Sequence, residues 1–233
     1  MGSKLHISII LPVFNEEQNL PKLLHDIKDF FSSREYSYQV VAVNDGSFDN
    51  TTVVLNSLSQ DLPIKVIEHA TNLGYSQSIR SGFKYLDSSD LVLIMDADNQ
   101  FHIESLDQLT PYISSFDIVV GERVKRKDSQ SRILLGEIWS LLGRILFKTK
   151  LKDLNCGFKL FSVEILQSLQ LDTVGPGINL EIFSDPIVRN SKIKMVPIPH
   201  YARAYGVETG AQLQTIRASM VDFYIVMKKR WFK

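Results

Sequence analysis

The first hundred residues alternate between short apolar runs and segments of helical periodicity, and this alternation constrains the fold more than any other feature. Residues 7–13 form a continuous run rich in β-branched side chains, which is typical of a strand covered on both faces. Strands are predicted at residues 7–13, 38–43, 64–68 and 91–95, and helices at residues 19–31, 49–58 and 75–86. This β-α-β-α-β-α-β order predicts a mostly parallel sheet with right-handed crossovers and flanking helices.

The second half of the chain is less regular, but it shows no linker, internal repeat or low-complexity segment. A strand is predicted at residues 116–121, a long helix at 132–147, shorter helices at 163–169 and 180–190, and a strand at 193–198. A chain of 233 residues is long enough for one sizeable core. We therefore predict a single α/β domain at residues 1–210, followed by a C-terminal amphipathic helical tail at residues 211–233.

Polar clusters follow three of the predicted strands, at residues 15–17, 44–47 and 96–100. Open α/β sheets bind ligands beyond the carboxyl ends of their strands, where these clusters fall. Asp96 and Asp98 come directly after an apolar run, and core packing gives no reason for two acids there. Carboxylates combined with substrate phosphates are typical ligands of Mg²⁺ and Mn²⁺, and Gln100 adds a neutral oxygen. Taken alone, the motif fits a solvated polar turn equally well.

Charge, cysteine content and hydropathy narrow the classes of partner and compartment. Lys plus Arg and Asp plus Glu both total 26, so no overall basic charge indicates nucleic acid. The single cysteine, Cys156, favours a reducing compartment, and the N-terminus lacks the pattern of a secretory signal. No apolar segment reaches the roughly 18 residues that a membrane-spanning helix requires. These features predict a cytoplasmic protein.

Two stretches, residues 133–147 and 220–233, are more apolar than the rest of the chain. Both are compatible with buried helices and with helices in a membrane interface, where Trp and Lys are favoured at headgroup level. We interpret the first as a core or oligomer contact. We interpret the second as a membrane contact, because its apolar run ends in Lys228, Lys229, Arg230 and Trp231.

Six short motifs occur in a fixed order along most of the chain. They are Pro12-Val13-Phe14-Asn15-Glu16-Glu17, Val43-Asn44-Asp45-Gly46-Ser47-Phe48-Asp49, Asn72-Leu73-Gly74-Tyr75, Asp96-Ala97-Asp98-Asn99-Gln100, Gly121-Glu122-Arg123 and Asp153-Leu154-Asn155-Cys156-Gly157-Phe158-Lys159. Each motif is weak alone, but the ordered set resembles family 2 glycosyltransferases of the GT-A fold, in particular the dolichyl- and polyprenyl-phosphate sugar synthases. The resemblance implies a Rossmann-like, mostly parallel sheet, and it favours a metal site over a polar turn at Asp96 and Asp98.

On the donor side, the resemblance implies two groups of residues. The first group would line the nucleoside pocket and consists of Pro12, Phe14, Glu16 and Asp45. Within it, Asp45 would contact the base. Those that would lie at the donor phosphates are Asp96, Ala97 and Asp98, with Asp96, Asp98 and Gln100 as ligands of Mg²⁺ or Mn²⁺.

The resemblance places Arg123 near phosphate charge, where with the metal it would stabilise the leaving diphosphate, and it places Asp153 beside the reacting centre. On the acceptor side it implies that Arg132 grips the acceptor phosphate, although a solvated residue at the start of a helix is an equal interpretation. Arg203 matches a family segment that binds an acceptor phosphate, and His200 would be a further hydrogen-bond donor there. The chain departs from the family pattern at three positions, where it has Gly136 for a frequent serine and Glu208 and Thr209 for a Ser-Lys pair. These departures remove one positive charge and one hydroxyl group from the expected acceptor site.

The resemblance implies an inverting transfer from a GDP-mannose or UDP-glucose type of donor to a polyprenyl or dolichyl phosphate, with Asp98, Asp153 and Arg123 as catalytic residues. The protein would act on the cytoplasmic face of a membrane and would dock there through its own tail or a membrane-anchoring partner. A homo-oligomer is the alternative to such a partner. One alternative keeps the same donor but has a saccharide or glycolipid hydroxyl as the acceptor, with Asp153 as the general base. A sugar-phosphate nucleotidyltransferase is a more remote alternative, because residues 12–17 contain no glycine. A non-catalytic binding subunit would not need the complete Asp96, Asp98 and Gln100 set.

Overall fold

Seven strands form one sheet in a computed structural model that describes residues 4–86, 89–206 and 213–232. They are β1 (His6–Val13), β2 (Ser37–Asn44), β3 (Ile64–Glu68), β4 (Leu91–Met95), β5 (Ile118–Val124), β6 (Phe158–Ser162) and β7 (Ile193–Pro199). Their order in the sheet is β3-β2-β1-β4-β6-β5-β7. The pairs β1–β2, β1–β4, β2–β3 and β5–β7 are parallel, whereas β6 is antiparallel to β4 and β5. The predicted mostly parallel sheet is confirmed.

Helices cover both faces of this sheet. They are α1 (Leu20–Ser32), α2 (Thr51–Leu58), α3 (Tyr75–Phe83), α4 (Leu106–Leu109), α5 (Gln130–Phe147), α6 (Val163–Gln167), α7 (Ile178–Ser184), α8 (Pro186–Asn190) and α9 (Leu213–Trp231). Successive strand residues point to opposite faces, so Ile9 packs with α1 residues while Ile10 packs in the core cluster that contains α3 and α7 residues. The crossover helices therefore hold the carboxyl ends of β1, β2 and β4 side by side.

Two predictions for the second half of the chain were wrong in detail. The single helix predicted at residues 180–190 is two helices, because Asp185 is extended and its carboxylate caps α8 at Ile187 N (2.9 Å) before Pro186, which has no N–H to donate. Strand β6 was missed, because residues 153–159 were interpreted only as a loop motif. Its apolar run contains Lys159, which is fully buried, and so it lacks the alternation of a half-exposed strand.

The C-terminal helix α9 is anchored by buried polar contacts as well as apolar ones. Asp222 is fully buried and accepts hydrogen bonds from the backbone N–H groups of Val174 (2.9 Å), Gly175 (3.1 Å) and Gly177 (2.7 Å). Lys229 pairs with Glu181, which is also fully buried, at 2.8 Å. One face of α9 is thus part of the folded domain. Among the described residues, no helix has the length and apolarity needed to cross a bilayer.

Candidate active site

The loops that follow β1, β2 and β4 meet at one edge of the sheet, and hydrogen bonds join the first two. Asn15 N donates to Ser47 Oγ (2.9 Å), and Phe48 N donates to Asn15 Oδ1 (3.0 Å). The rings of Phe14 and Phe48 meet edge to face, 5.9 Å between centroids, and Phe48 is 84% exposed. Pro12, half-buried at the end of β1, lies two residues before Phe14. This edge presents an open aromatic surface of the kind on which a nucleobase stacks.

Asp45 is buried, and its carboxylate is already bound by protein groups. It accepts hydrogen bonds from Leu73 N (2.9 Å), Gly74 N (2.8 Å) and His69 Nδ1 (2.7 Å). These contacts tie the segment before α3 to the end of β2. The base contact predicted for Asp45 would have to share these oxygens with the protein and stays a prediction.

Asp96 is partly buried between the end of β4 and the start of β6. Its N–H donates to Gly157 O (3.1 Å), and its Oδ1 accepts a hydrogen bond from Tyr75 Oη (3.0 Å). A Cβ at position 157 would lie 1.8 Å from Asp96 Oδ2, so any larger residue there would displace this carboxylate. Burial, followed by repulsion from Asp98, raises the pKa of Asp96 to about 6.

Asp98 and Glu16 are buried and share one cation, Arg203. One Arg203 nitrogen lies 3.3 Å from Asp98 Oδ2, and another hydrogen-bonds to Glu16 Oε1. Burial raises the pKa of both acids, and Arg203 opposes this shift. Arg203, predicted at the acceptor phosphate, therefore lies against two carboxylates that were predicted on the donor side. Glu208 and Thr209, which depart from the family pattern, lie outside the described residues.

The residues after β4 suit a divalent metal that substrate phosphates help to bind. Among the described residues, no group of three His, Cys, Asp or Glu could hold a metal ion by itself. Asp96 and Asp98 instead repel each other, which a dication would relieve, and sites with one or two carboxylates plus phosphates are usual for Mg²⁺. Ala97 and Gln100 are buried, and Gln100 Nε2 donates to Tyr201 O (3.3 Å). These residues fit Mg²⁺ or Mn²⁺.

Arg123 and Asp153 form a two-pronged ion pair on the other side of the site. Arg123 Nε lies 2.7 Å from Asp153 Oδ2, and Nη2 lies 2.7 Å from Oδ1. Burial alone would raise the pKa of Asp153, but the hydrogen bonds and charge of Arg123 outweigh it, and the pKa is lowered. Burial alone would lower the pKa of Arg123, but the hydrogen bonds and charge of Asp153 outweigh it, and the pKa is raised. Both groups are therefore held in their charged forms.

Asp128, which lies just before α5, forms ion pairs with three arginines. It lies 2.9 Å from Arg126, 3.1 Å from Arg132 and 3.5 Å from Arg123. Burial raises the pKa of Asp128, but these arginines, Arg132 foremost, bring it below its usual value. A Cβ at Gly136 would lie 3.3 Å from Arg126 Nη1, so this departure from the family pattern leaves room for a guanidinium group. Arg126 and Asp128 were not predicted as site residues, although the spacing of Asp128 four residues before Arg132 is a local signal for this ion pair.

His200 is buried beneath this arginine cluster. Its Nδ1 accepts a hydrogen bond from Lys127 N (3.2 Å), and its ring lies 5.3 Å from that of Phe101. Burial lowers the pKa of His200 to about 4, so the imidazole is neutral near pH 7. As a phosphate ligand it would offer a neutral N–H rather than a positive charge.

Lys159 and Cys156 complete the buried part of the site. Lys159 Nζ donates to Cys156 O, and burial lowers its pKa while Cys156, Asp96 and Asp153 oppose that shift. Burial raises the pKa of the Cys156 thiol to about 12, so this cysteine is a packed residue rather than a nucleophile. Tyr75 and Lys159 both lie in motifs that the sequence marked, but their contacts with Asp96 and with the interior became visible only in the fold.

Comparison with known proteins is consistent with this geometry. The model of the family described as glycosyl transferase family 2 matches residues 8–170. The chain is 31% identical to dolichol-phosphate mannosyltransferase of Pyrococcus furiosus, covering 96% of this chain and 64% of that one. It is 30% identical to a dolichyl-phosphate beta-glucosyltransferase of Trichomonas vaginalis, covering 70% of this chain and 54% of that one. The chain thus spans between half and two thirds of the length of these relatives.

Solved structures confirm the fold at low sequence identity. Mannosyl-3-phosphoglycerate synthase from Rubrobacter xylanophilus matches with a TM-score of 0.75 and 15% identity, over 97% of this chain and 74% of that one. Glucosyl-3-phosphoglycerate synthase from Mycobacterium tuberculosis, crystallised with Mn²⁺, uridine diphosphate and phosphoglyceric acid, matches with a TM-score of 0.69 and 18% identity, over 97% and 78%. The predicted GT-A fold is confirmed.

Proposed function

The chain belongs to glycosyl transferase family 2, and we propose that it transfers a hexose from a nucleotide-diphosphate sugar, of the GDP-mannose or UDP-glucose type, to a polyprenyl or dolichyl phosphate. The observation that carries the choice of acceptor is the Arg123–Asp153 pair. A hydroxyl acceptor needs a general base, whereas a phosphate oxygen is already an anionic nucleophile. Asp153 has a lowered pKa and gives both oxygens to Arg123, so it is poorly suited to remove a proton. Relatives named for dolichol-phosphate acceptors support the same choice.

On the donor side, Phe14 would stack on the base, beside Pro12 and the Asp45 carboxylate. Asp96, Asp98 and Gln100 would hold Mg²⁺ or Mn²⁺, which when bound stabilises negative charge on the leaving diphosphate. Tyr75 and Gly157 orient the Asp96 carboxylate for this task. Because Arg203 lies against Asp98 and Glu16, it would be close enough to take part in binding the donor phosphates as well.

On the acceptor side, Arg126 and Arg132 carry charge that Asp128 neutralises only in part, and they would grip the acceptor phosphate. His200 would add a neutral N–H donor. The acceptor oxygen would attack the anomeric carbon in line, the bond from that carbon to the diphosphate oxygen would break, and the configuration would invert. Asp153 and Arg123 would position the sugar of the donor next to the acceptor phosphate. Positioning and electrostatics would provide most of the rate acceleration. A lipid acceptor would place the protein at the surface of a membrane.

The test combines labelled GDP-mannose or UDP-glucose with Mn²⁺ and the purified protein, with and without a polyprenyl phosphate. The expected product is a labelled lipid that forms only when the polyprenyl phosphate is present. Mild acid should release the labelled sugar from it. Asp98→Ala is the matched control, and it should form no product while remaining folded by circular dichroism. Transfer of label to an acid-stable glycolipid or saccharide, with none to the lipid phosphate, would contradict the proposal.

A further inference from the structure

The donor side of the candidate site is supported by one short segment, residues 73–76, at the start of α3. Two backbone N–H groups of this segment donate to Asp45, at 2.9 and 2.8 Å. The hydroxyl of Tyr75, in the same segment, donates to Asp96 (3.0 Å). The carboxylates expected at the base and at the metal therefore share one supporting segment. A displacement of about 1 Å would disturb both, and an error of that size is costly at a reacting site.

A second segment, residues 174–177, packs against residues 73–76. Ser76 N donates to Gly175 O (3.2 Å), and the hydroxyl of Ser76 donates to the same oxygen. The approach is close, since a Cβ at Gly74 would lie 2.8 Å from a carbonyl oxygen of the second segment. The position of residues 174–177 therefore limits the positions that residues 73–76 can take.

Asp222 of α9 holds residues 174–177 in place. Its carboxylate is fully buried and accepts hydrogen bonds from three backbone N–H groups of that segment, at 2.7–3.1 Å. Hydrogen bonds to a charged acceptor are stronger than neutral ones, and a buried N–H group that loses its acceptor is costly. A Cβ at Gly177 would lie 2.4 Å from Asp222 Cβ, so the helix and the segment are in direct contact. The segment thus contacts α9 through Asp222 and α3 through Ser76.

A second polar residue of α9, Arg230, has different partners. Its guanidinium pairs with Asp185, the cap of α8, at 2.7 Å, and it donates to Ser184 and to the carbonyl oxygen of Glu181 in α7. Arg230 therefore attaches α9 to α7 and α8, whereas Asp222 attaches it to the segment that packs against α3. The two residues belong to one helix and differ in what they hold, so their substitutions form a matched pair.

We propose that Asp222 is a positioning residue for the sugar-nucleotide site. It holds residues 174–177, against which residues 73–76 rest. Residues 73–76 in turn orient the carboxylates of Asp45 and Asp96. This inference rests on the proposed function, which assigns the sugar nucleotide to those two carboxylates. The competing account is that Asp222 only attaches α9, in which case its loss would lower stability and leave nucleotide binding unchanged.

The test measures binding of uridine diphosphate and of guanosine diphosphate, each with Mn²⁺, by isothermal titration calorimetry. Asp222→Asn keeps the size of the side chain but replaces one acceptor oxygen by an NH2 group, which cannot accept a hydrogen bond from a backbone N–H. We expect this variant to bind the nucleotide that the wild type prefers about tenfold more weakly. Arg230→Gln should bind it as the wild type does. Both variants should have a lower Tm, because each loses a contact of α9, so stability does not distinguish them. Equal nucleotide affinities in Asp222→Asn and Arg230→Gln would overturn the inference.

A double-mutant cycle tests the connection through residues 174–177. Ser76→Ala removes the hydroxyl contact with Gly175 O and keeps the backbone one, so it should fold and should weaken nucleotide binding about threefold. This loss should disappear in the Asp222→Asn background, because both substitutions release the same segment. Fully additive losses would overturn the inference. If Asp222→Asn did not fold, unchanged nucleotide binding by Ser76→Ala would overturn it.

Kinetics and amide exchange separate this inference from the proposed function. Asp222→Asn should raise the KM for the sugar nucleotide about tenfold and change the KM for polyprenyl phosphate less than about threefold. It should also speed hydrogen exchange of the Leu73 and Gly74 amides, measured by NMR, whereas Arg230→Gln should not. A wild-type protein that binds neither nucleotide and transfers no sugar would contradict the proposed function. The amide exchange rates would still decide the role of Asp222, since unchanged rates in Asp222→Asn would show that it does not position residues 73–76.

Discussion

Arg123 holds Asp153 through two hydrogen bonds of 2.7 Å, from Nε and Nη2 to the two carboxylate oxygens. Both side chains are largely buried, with 5% of Arg123 and 14% of Asp153 exposed. In this geometry each charge depends on the other for its compensation, since water is mostly excluded. The pair therefore contributes to the stability of this part of the candidate site.

Removing the carboxylate of this pair should destabilise the protein strongly. We expect Asp153→Ala to lower the free energy of unfolding by about 3 kcal/mol, because the buried Arg123 guanidinium would keep only the 3.5 Å contact with Asp128, which two other arginines share. Urea denaturation followed by circular dichroism measures the change. Asp107→Ala is the matched control, since Asp107 also binds an arginine, Arg34, but is 48% exposed, and its cost should stay below about 1 kcal/mol. Equal losses in the two variants would contradict the buried-pair account.

Metal binding should strengthen as the pH rises through about 6. The raised pKa means that the folded state holds a proton on Asp96 between its usual value and about 6, and a dication must displace that proton. We expect the rise in Tm caused by Mn²⁺, measured with a nucleoside diphosphate present, to be several-fold larger at pH 7.5 than at pH 5.0. Asp96→Asn should abolish the rise at both pH values. A rise in Tm that does not depend on pH in the wild type would exclude Asp96 as the titrating ligand.

Two glycines offer a paired test of the site. Gly157→Ala would place a Cβ 1.8 Å from Asp96 Oδ2, so the carboxylate must move, and we expect at least a hundredfold loss of metal-dependent transfer. Gly136→Ala meets only the mobile end of Arg126 at 3.3 Å, and it should keep the metal-induced rise in Tm. Thermal shift with Mn²⁺ and initial rates distinguish the two variants. A Gly157→Ala protein that binds Mn²⁺ normally would show that Asp96 is not a ligand.

Acceptor binding should depend on Arg132 more than on Arg144, the other basic residue of α5. We expect Arg132→Gln to raise the KM for polyprenyl phosphate at least tenfold and to change the KM for the sugar nucleotide less than threefold, since a charged contact to phosphate is worth about 1.5–3 kcal/mol. Arg144→Gln, three turns further along the same helix, is the control and should leave the KM for a water-soluble acceptor unchanged. A parallel rise in both KM values for Arg132→Gln would instead place this arginine on the donor.

Burial of neutral His200 should reduce stability in acid. Its pKa is about 4 in the folded state and near 6.5 when unfolded, so the unfolded chain binds the additional proton as the pH falls from 6.5 to 4. Stability is lost over that window, by roughly 3 kcal/mol from this residue. His200→Asn keeps an acceptor for Lys127 N, and we expect its unfolding free energy to fall less between pH 7 and pH 4.5. His25→Asn, at an exposed site, should follow the wild type in the same urea titrations.

The sequence by itself determined the order of the strands and helices in the first half of the chain and the position of Asp96 and Asp98. Both depend on local patterns, because periodicity reports burial along one element and the carboxyl ends of parallel strands share one edge. Asp96 and Asp98 could therefore be placed at that edge from the order of the residues alone. The residues that surround them, Tyr75 among them, needed the packed fold.

Only the tertiary structure decided how distant charges pair and which apolar face stays uncovered. Arg203 meets Glu16 across 187 positions of the chain, and β6 enters the sheet antiparallel between β4 and β5, which brings Gly157 against Asp96. Residues 133–147 were compatible with a core, an oligomer or a membrane contact, because composition is the same in all three. The fold buries the side of α5 that carries Gly143 and exposes the side that carries Ile145, since burial is a relation between elements and not a property of one segment.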